Sequence, residues 1–269
     1  MRFDPTDAVC IVTGASSGIG CALAKKLLDR RAHVVAVARR GDRLDQIATQ
    51  HPDRLIKVVG DVTEAETQER IVRAATSIRE GAVDLLVNNA GIGAIGPFID
   101  ASPERMRMIM EVNFFAPVEL TRRLISALEL GRAPVVCNIS SVLGHRSVPD
   151  KSEYCASKFA MHGWSDSLRA ELAERGIQVT LVSPSTTRSD FFDSLIDTKP
   201  GQKSKTVGSW PADRVAAAAL SAIEKRKDEI ICSLPGKLFV WADRLCPPIM
   251  NRLLRSQSSA TGDASVHDA

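Results

Sequence analysis

The chain has 269 residues, of which 44% are hydrophobic and 25% charged. These proportions are ordinary for globular proteins and exclude a collagen-like chain, a disulfide scaffold and disorder throughout. The net charge of +3 is too small to indicate a nucleic-acid partner, and its excess lies in residues 199–255, with 11 basic and 5 acidic side chains.

The cysteines show no CxxC pair, and no histidine stands at a metal-ligand spacing from them; they lie at positions 10, 21, 137, 155, 232 and 246. Free thiols in a reducing, cytoplasmic setting are therefore expected, with no metal site. The first residues, MRFDPTDAVCIVTG, do not read as a signal peptide, and no apolar run reaches about 18 residues. We expect neither export nor a membrane span.

Seven short apolar runs alternate with helical patterns, at residues 9–13, 33–38, 55–60, 83–88, 133–140, 177–183 and 229–233. Runs that are apolar on both faces belong to parallel sheets covered by helices. The sequence therefore predicts an α/β, doubly wound Rossmann fold with a seven-stranded, mostly parallel sheet and helices on both faces. We expect one domain over residues 1–255, a loop over 188–210 and a disordered tail over 256–269.

One helix start is marked by Ser102-Pro103-Glu104, which combines an N-cap residue, a first-turn proline and a first-turn acid. The apolar positions that follow predict a helix continuing to about residue 128.

A glycine-rich turn, TGASSGIG at residues 13–20, follows the first predicted strand and leads into a helix. In such a turn, backbone N–H groups at the helix N-terminus can bind a pyrophosphate. The glycine spacing differs from the common G-x-G-x-x-G fingerprint, so a tight turn without a ligand is the alternative.

The second predicted strand ends in Ala38-Arg39-Arg40, where a protein selective for NAD would place an acid on the ribose hydroxyls. Guanidinium groups suit a 2′-phosphate, so the sequence favours NADP over NAD. The alternative is a solvated pair of cations at a helix start.

The only tyrosine, Tyr154, precedes Lys158 by four residues, which places both on one face of a helix. A neighbouring ammonium would lower the phenol pKa and suit it to general acid–base catalysis. Ser141 could donate a hydrogen bond to a substrate oxygen, and Asn113 is a polar amide in an apolar stretch. A partly buried tyrosine beside a solvated lysine, and a satisfied core asparagine, are the alternatives.

Together these motifs, with Asp61-Val62 and the NNAG sequence at 88–91, resemble the short-chain dehydrogenase/reductase family in its short, single-domain form. The resemblance covers about residues 7–233. It implies a catalytic tetrad of Asn113, Ser141, Tyr154 and Lys158. In that tetrad the tyrosine exchanges a proton with the substrate oxygen, the serine holds that oxygen, the lysine lowers the tyrosine pKa, and the asparagine holds a water.

The resemblance also implies that NADP(H) is bound by Gly14, Ser16, Ser17, Gly18, Ile19, Gly20, Arg39, Arg40, Asp61, Val62, Asn88, Ala90, Gly91, Tyr154, Lys158, Pro184 and Thr187. One departure stands after the sixth strand, where the family usually has Pro-Gly and this chain has Pro184-Ser185. The missing glycine affects the expected backbone path and the shape of the substrate site.

The substrate is expected to be a hydrophobic, lipid- or steroid-like ketone, aldehyde or secondary alcohol, because the expected pocket walls are apolar. These walls contain Val142, Leu143, Val148, Phe191, Phe192, Leu195 and Ile196. Substrate contacts are assigned to Ser141, Leu143, His145, Tyr154 and Ser185, with a solvated loop histidine as the alternative for His145.

Two other functions share these motifs: a 3-oxoacyl-thioester reductase and a non-catalytic NADP-sensing protein. Family likeness implies a homodimer or homotetramer formed through two long helices, at about 102–128 and 152–174. The apolar and basic segment 233–255 could contact a membrane surface, cover the pocket or join subunits, with the membrane not favoured.

Overall fold

The computed structural model describes residues 2–188, 195–198 and 209–262. Its main sheet has seven parallel strands: β1 (Val9–Thr13), β2 (His33–Ala38), β3 (Leu55–Val59), β4 (Leu85–Asn88), β5 (Val135–Ile139), β6 (Gln178–Ser183) and β9 (Glu229–Ile231). They lie in the order β3-β2-β1-β4-β5-β6-β9. The predicted fold is confirmed, and predicted strand ends differ from these by at most two residues.

Helices connect the strands and cover both faces: α1 (Gly18–Asp29), α2 (Gly41–Ala48), α3 (Ala65–Thr76), α4 (Pro103–Met110), α5 (Ala116–Glu129), α6 (Ser152–Ala173), α7 (Ala212–Glu224), α8 (Leu234–Leu245) and α9 (Pro247–Gly262). A second, two-stranded parallel sheet pairs β7 (Thr187–Arg188) with β8 (Trp210–Pro211).

Strand β1 shows why the strands read as continuous apolar runs. All five of its residues are buried, and successive side chains enter different cores. Cys10 and Val12 pack with residues of α1 and α7, whereas Val9 and Ile11 pack with residues of α3 and α5. Because each face of the strand meets a helix layer, neither face requires polar side chains.

The predicted helix start at Ser102 is confirmed, since its hydroxyl accepts a hydrogen bond from the Arg105 backbone N–H at 3.1 Å and Pro103 occupies the first turn. The helix does not run uniformly to residue 128. A π-helical turn, Glu111–Phe115, separates α4 from α5.

The C-terminal segment forms two helices, and the second begins at Pro247-Pro248, a proline pair that cannot continue the first helix. Helix α9 extends to Gly262, so the expected tail is helical in its first part, and residues 263–269 lie outside the described residues. Of the helices described, none is long and apolar enough to cross a membrane.

Candidate active site

The glycine-rich turn lies between the end of β1 and the start of α1, beside the end of β4. Gly14 has φ +66° and Gly18 has φ +56°, in the left-handed region that favours glycine. A Cβ atom at Gly14 would lie 2.7 Å from Asn89 Nδ2 and 3.0 Å from the Ala90 Cα. Ser17 precedes α1 without capping it through its side chain, which leaves backbone N–H groups of the first turn available. The turn therefore fits a pyrophosphate.

Two arginines stand at one end of the same pocket. Arg40 donates to Ser17 Oγ at 2.7 Å and to Ser16 Oγ at 3.3 Å, which holds its guanidinium against the glycine turn. The Arg39 side chain is 68% exposed and lies 3.8 Å from the Asp61 carboxylate. Two cations and two hydroxyls at this point suit a phosphate group.

Lys158 is buried in α6, and its ammonium donates to the Ile139 carbonyl at 3.0 Å. Burial lowers the pKa of Lys158 to about 8. The ammonium lies 5.6 Å from the centroid of the Tyr154 ring. The lysine is therefore held close to the tyrosine by the α6 geometry, but its hydrogen bond goes to β5.

Burial raises the pKa of Tyr154 above its usual range, and a hydrogen bond with the Ser141 side chain opposes that rise. The expectation that Lys158 lowers this pKa is not met by the isolated chain, because desolvation of the phenol dominates. Tyr154 is therefore a protonated phenol at neutral pH.

Ser141 is positioned by the turn that follows β5. Its hydroxyl accepts from the Leu143 backbone N–H at 3.1 Å and caps the short 3₁₀ helix Val142–Gly144. The Val142 backbone N–H donates to the Pro184 carbonyl at 2.9 Å, which joins this turn to the end of β6. Ser141 is thus fixed against Tyr154 by both strands.

Asn113 lies in the π-helical turn and is fully paired behind the pocket. Its amide oxygen accepts from the Ile92 backbone N–H, and its amide nitrogen donates to the Ile92 carbonyl and to Ser157 Oγ, all at 2.9 Å. A Cβ atom at Gly91 would lie 3.2 Å from Asn113 Oδ1 and 3.9 Å from Lys158 Nζ. Both polar groups therefore flank Gly91.

One continuous cavity of about 570 Å³ extends from the arginine pair to Tyr154. Its wall contains most of the predicted cofactor and substrate residues: Gly14, Ser16, Ser17, Gly18, Ile19, Arg39, Arg40, Asp61, Val62, Ala90, Gly91, Ser141, Leu143, Tyr154, Lys158, Pro184, Ser185 and Thr187. The same wall includes the predicted apolar residues Val142, Val148 and Leu195.

Four predicted site residues lie away from this wall. Asn88 is buried in the sheet and bonds to Thr121 and Asn138, so its predicted ribose contact is wrong, and Asn89 lines the pocket instead. His145 is also wrong as a substrate contact, because its ring is bonded to Glu229 outside the cavity. Asn113 stands behind the wall, as described above, and Gly20 packs against Gly14 and Asn89 below the turn.

The sequence predicts the wall segment at residues 93–96, of which Gly93, Ala94 and Ile95 line the cavity, but it gives no indication of Gly60, Pro235, Gly236 and Phe239. The last three come from α8, whose place over the pocket carries no motif. Of the predicted apolar wall, Ile196 packs beside Ile92 and Ala94 instead, and Phe191 and Phe192 lie outside the described residues.

Ser185, which stands where the family usually has glycine, lies on the pocket wall and accepts a hydrogen bond from Ser233 Oγ at 2.8 Å. Its side chain thus joins the end of β6 to the start of α8, a link that glycine could not form.

A parallel doubly wound sheet, a glycine turn for pyrophosphate, and a buried serine and lysine beside a partly buried tyrosine define a nucleotide-binding oxidoreductase of the Rossmann type. The family model for short chain dehydrogenase matches residues 8–200. The chain therefore belongs to the short-chain dehydrogenase family.

Curated relatives agree with this assignment. The chain is 32% identical to dehydrogenase/reductase SDR family member 7B of Bos taurus, over 96% of this chain and 83% of the relative. It is also 32% identical to the uncharacterized oxidoreductase YxnA of Bacillus subtilis, over 92% and 71%.

Solved structures show the same fold. A short-chain dehydrogenase from Streptomyces avermitilis has a TM-score of 0.79 at 29% identity and covers 96% of this chain and 98% of its own. A short chain dehydrogenase from Burkholderia cenocepacia in complex with NADP also scores 0.79, at 26% identity over 94% and 99% of the two chains.

Proposed function

We propose that the protein is an NADP(H)-dependent oxidoreductase that interconverts a hydrophobic ketone or aldehyde with its alcohol. The observation that carries this proposal is the single cavity in which an arginine pair, a glycine turn and the Ser141–Tyr154 pair follow one another along the wall. A cofactor lying across the strand ends would reach from the arginines to the tyrosine.

The chain's own residues hold and protonate the substrate oxygen. Tyr154 is protonated at neutral pH because burial raises its pKa, so it is prepared to donate a proton to a carbonyl oxygen. Ser141 would donate a second hydrogen bond to that oxygen. The bound nicotinamide supplies or accepts the hydride.

Preference for NADP(H) is supported by the charge at the end of β2. The two residues directly after Ala38 are arginines and not carboxylates, and both Arg39 and Arg40 line the cavity beside Ser16 and Ser17. The Burkholderia cenocepacia structure is a complex with NADP, whereas a short chain dehydrogenase from Burkholderia phymatum was solved with NAD.

The substrate class follows from the wall around Tyr154. Val142, Leu143, Val148, Leu195 and Phe239 present apolar side chains, which favour a lipid- or steroid-like carbonyl over a polyol. A 3-oxoacyl-thioester would share the reaction. Side-by-side turnover of a free hydrophobic ketone and an acyl-thioester would separate these substrates.

Residues 1–255 act as one domain in this proposal. Helix α8, near the C-terminal end, contributes Pro235, Gly236 and Phe239 to the same cavity as the N-terminal glycine turn.

The test is Tyr154→Phe, which keeps the ring and removes the proton donor. Turnover of a hydrophobic carbonyl with NADPH should fall by about 100- to 10,000-fold, because that is the usual contribution of general acid catalysis. NADPH binding, measured by nicotinamide fluorescence, should stay within about threefold of wild type. Turnover equal to wild type would contradict the assignment. A protein that binds NADPH but reduces no carbonyl before mutation would support the sensor function.

A further inference from the structure

Three ligand-type side chains meet near the middle of α6, and none of them is among the residues that line the catalytic cavity. His145 ends the turn that Ser141 begins, His162 lies one helical turn beyond Lys158, and Glu229 begins β9. None of the three lines the cavity. They are distant in sequence, which is why no ligand spacing is visible in the chain.

Their geometry is compact. His145 Nε2 lies 2.7 Å from Glu229 Oε1, and the two imidazole rings are 4.4 Å apart between centroids, in an edge-to-face arrangement. One ligand atom from each of the three residues falls within 4.8 Å of the others. The three side chains are largely buried, with exposures of 3% for His145, 16% for His162 and 27% for Glu229.

His162 presents an unused nitrogen. Its Nε2 lies 3.5 Å from the Asp166 carboxylate, one helical turn further along α6. Its Nδ1 is buried and has no hydrogen-bond partner among the residues described. A proton on Nε2 facing Asp166 leaves the lone pair on Nδ1, as in metal sites where a carboxylate orients a ligating histidine.

The charges that face this cluster come from three elements. Glu229 and Asp166 are acidic, whereas the Arg244 guanidinium of α8 lies 3.5 Å from His145 Nδ1. Binding of a metal to His145 Nε2 places the ring proton on Nδ1, so this guanidinium has to move away from the ring when the site is filled. Two carboxylates against one guanidinium favour a cation at this cluster.

We propose that His145 Nε2, His162 Nδ1 and the Glu229 carboxylate form a binding site for Zn²⁺, with water as the fourth ligand. Two imidazoles and one carboxylate suit Zn²⁺ better than Mg²⁺ or Ca²⁺, which prefer oxygen ligands alone. Zinc bonds of about 2.0–2.2 Å require ligand atoms roughly 3.4 Å apart. The His145–Glu229 pair therefore separates slightly on binding, and the wider pairs close by up to about 1.4 Å.

Bound zinc would join the turn behind Ser141 to the catalytic helix. Glu229 also accepts from Ser183 Oγ at 3.0 Å, so the site connects the end of β6 as well. The ion would therefore stabilise the fold around the catalytic serine without entering the cavity. The site does not depend on the proposed reaction, since metal binding is measured without substrate.

The test is titration of the chelator-treated full chain at pH 7.5, with Co²⁺ followed by visible absorbance and Zn²⁺ by competition with a chromophoric chelator. We expect one equivalent to bind, with the intense visible bands of tetrahedral Co²⁺. Zinc should also raise the Tm of the protein.

Glu229→Gln keeps a carbonyl oxygen that can accept from Ser183, and it should weaken zinc binding by about 100-fold or more. Asp166→Asn should weaken it by about 10-fold, as expected for an orienting carboxylate.

His51→Ala is the matched control, since it removes a partly buried histidine near Asp29, and it should bind zinc as wild type does. Equal zinc affinity in wild type and Glu229→Gln would overturn the proposal. Near-ultraviolet sulfur-to-cobalt bands would overturn it too, because they would place the metal on cysteine.

Discussion

At the scale of single residues, two titratable groups on one turn of α6 are shifted in opposite directions by the same burial. Tyr154 is held protonated by its raised pKa, and Lys158 has a pKa lowered to about 8. Burial disfavours the charged form of each group, so the phenol keeps its proton and the ammonium loses it more readily. The isolated chain is thus set for proton donation by tyrosine.

Lys158 should make stability depend on pH. Its pKa falls from 10.5 to about 8 on folding, so between these values the unfolded chain binds more protons and the free energy of unfolding rises with pH. Between pH 7.5 and 9.5, the free energy of unfolding of wild type should rise by about 2 kcal/mol more than that of Lys158→Met. Urea unfolding of the cofactor-free protein at both pH values measures this gain. Lys25→Met, on an exposed position, should show the wild-type dependence, and a parallel response of Lys158→Met would contradict the shift.

We expect Arg39 and Arg40 to contribute unequally to NADPH affinity. Arg40 is held by Ser16 and Ser17, whereas Arg39 lies at the Asp61 carboxylate. We expect Arg40→Ala to weaken NADPH binding by about 10- to 100-fold, the range for loss of a charge-assisted hydrogen bond. NADH binding should change by less than about threefold. Arg39→Ala should have the smaller effect on NADPH. Fluorescence titration with NADPH and NADH measures these effects. An equal loss of affinity for the two nucleotides would contradict a 2′-phosphate contact.

The prediction of individual site residues failed at the end of β4, where neighbouring side chains point to opposite faces of the strand. Asn88 and Asn89 end β4 in sequence, but strand geometry turns Asn88 into the sheet core and Asn89 toward the cavity. A shift of one residue reverses that assignment, and the motif alone does not fix it. His145 was misassigned for a different reason, because its partner Glu229 is 84 residues away.

At the scale of elements, the strands were predictable to within two residues because they read as apolar runs. The five inner strands are buried on both faces, whereas the edge strands β3 and β9 are partly exposed. The break between α4 and α5 was not predictable from the sequence, since a π-helical turn changes the backbone hydrogen bonding without changing the apolar pattern. That turn carries Asn113, which places the irregular backbone next to the catalytic helix. π-helical turns are frequent at functional sites.

Helices α4 and α6 are joined by a buried ion pair next to Tyr154. The Arg105 guanidinium donates to Glu153 Oε1 at 2.7 and 3.1 Å, both side chains are at most 3% exposed, and Arg105 also donates to the Asp197 carbonyl. Although burial opposes ionisation, the Arg105 hydrogen bond keeps the pKa of Glu153 below its usual value.

Arg105→Met should therefore cost about 3–5 kcal/mol of unfolding free energy, because it leaves a buried carboxylate unpaired. The double variant Arg105→Met, Glu153→Leu should recover part of that loss, since both charges are gone. Urea unfolding at pH 7 measures both variants. A double variant no more stable than Arg105→Met would show that the pair is not coupled.

At the scale of the whole molecule, the face formed by the α4–α5 region and α6 is where we expect a second copy of the chain. Phe114 and Trp164 pack edge to face at 6.3 Å and hold the two regions together. Each region leaves a large aromatic side chain uncovered: Phe115 is 45% exposed and Phe159 is 43% exposed. Exposed aromatic groups on packed helices are typical of a subunit interface.

Replacing Phe159 with Glu should convert the oligomer to monomer, because burying an unpaired carboxylate in the interface opposes association. Light scattering coupled to size exclusion, at several protein concentrations, measures the mass. The matched control is Ile56→Glu on β3, a similarly exposed apolar residue at the edge of the sheet, which should keep the wild-type mass. Because Phe159 follows Lys158 directly, NADPH binding is measured on the same samples. A lower mass with unchanged NADPH binding would show that Phe159 acts at the subunit interface. An unchanged mass would exclude this face as the interface.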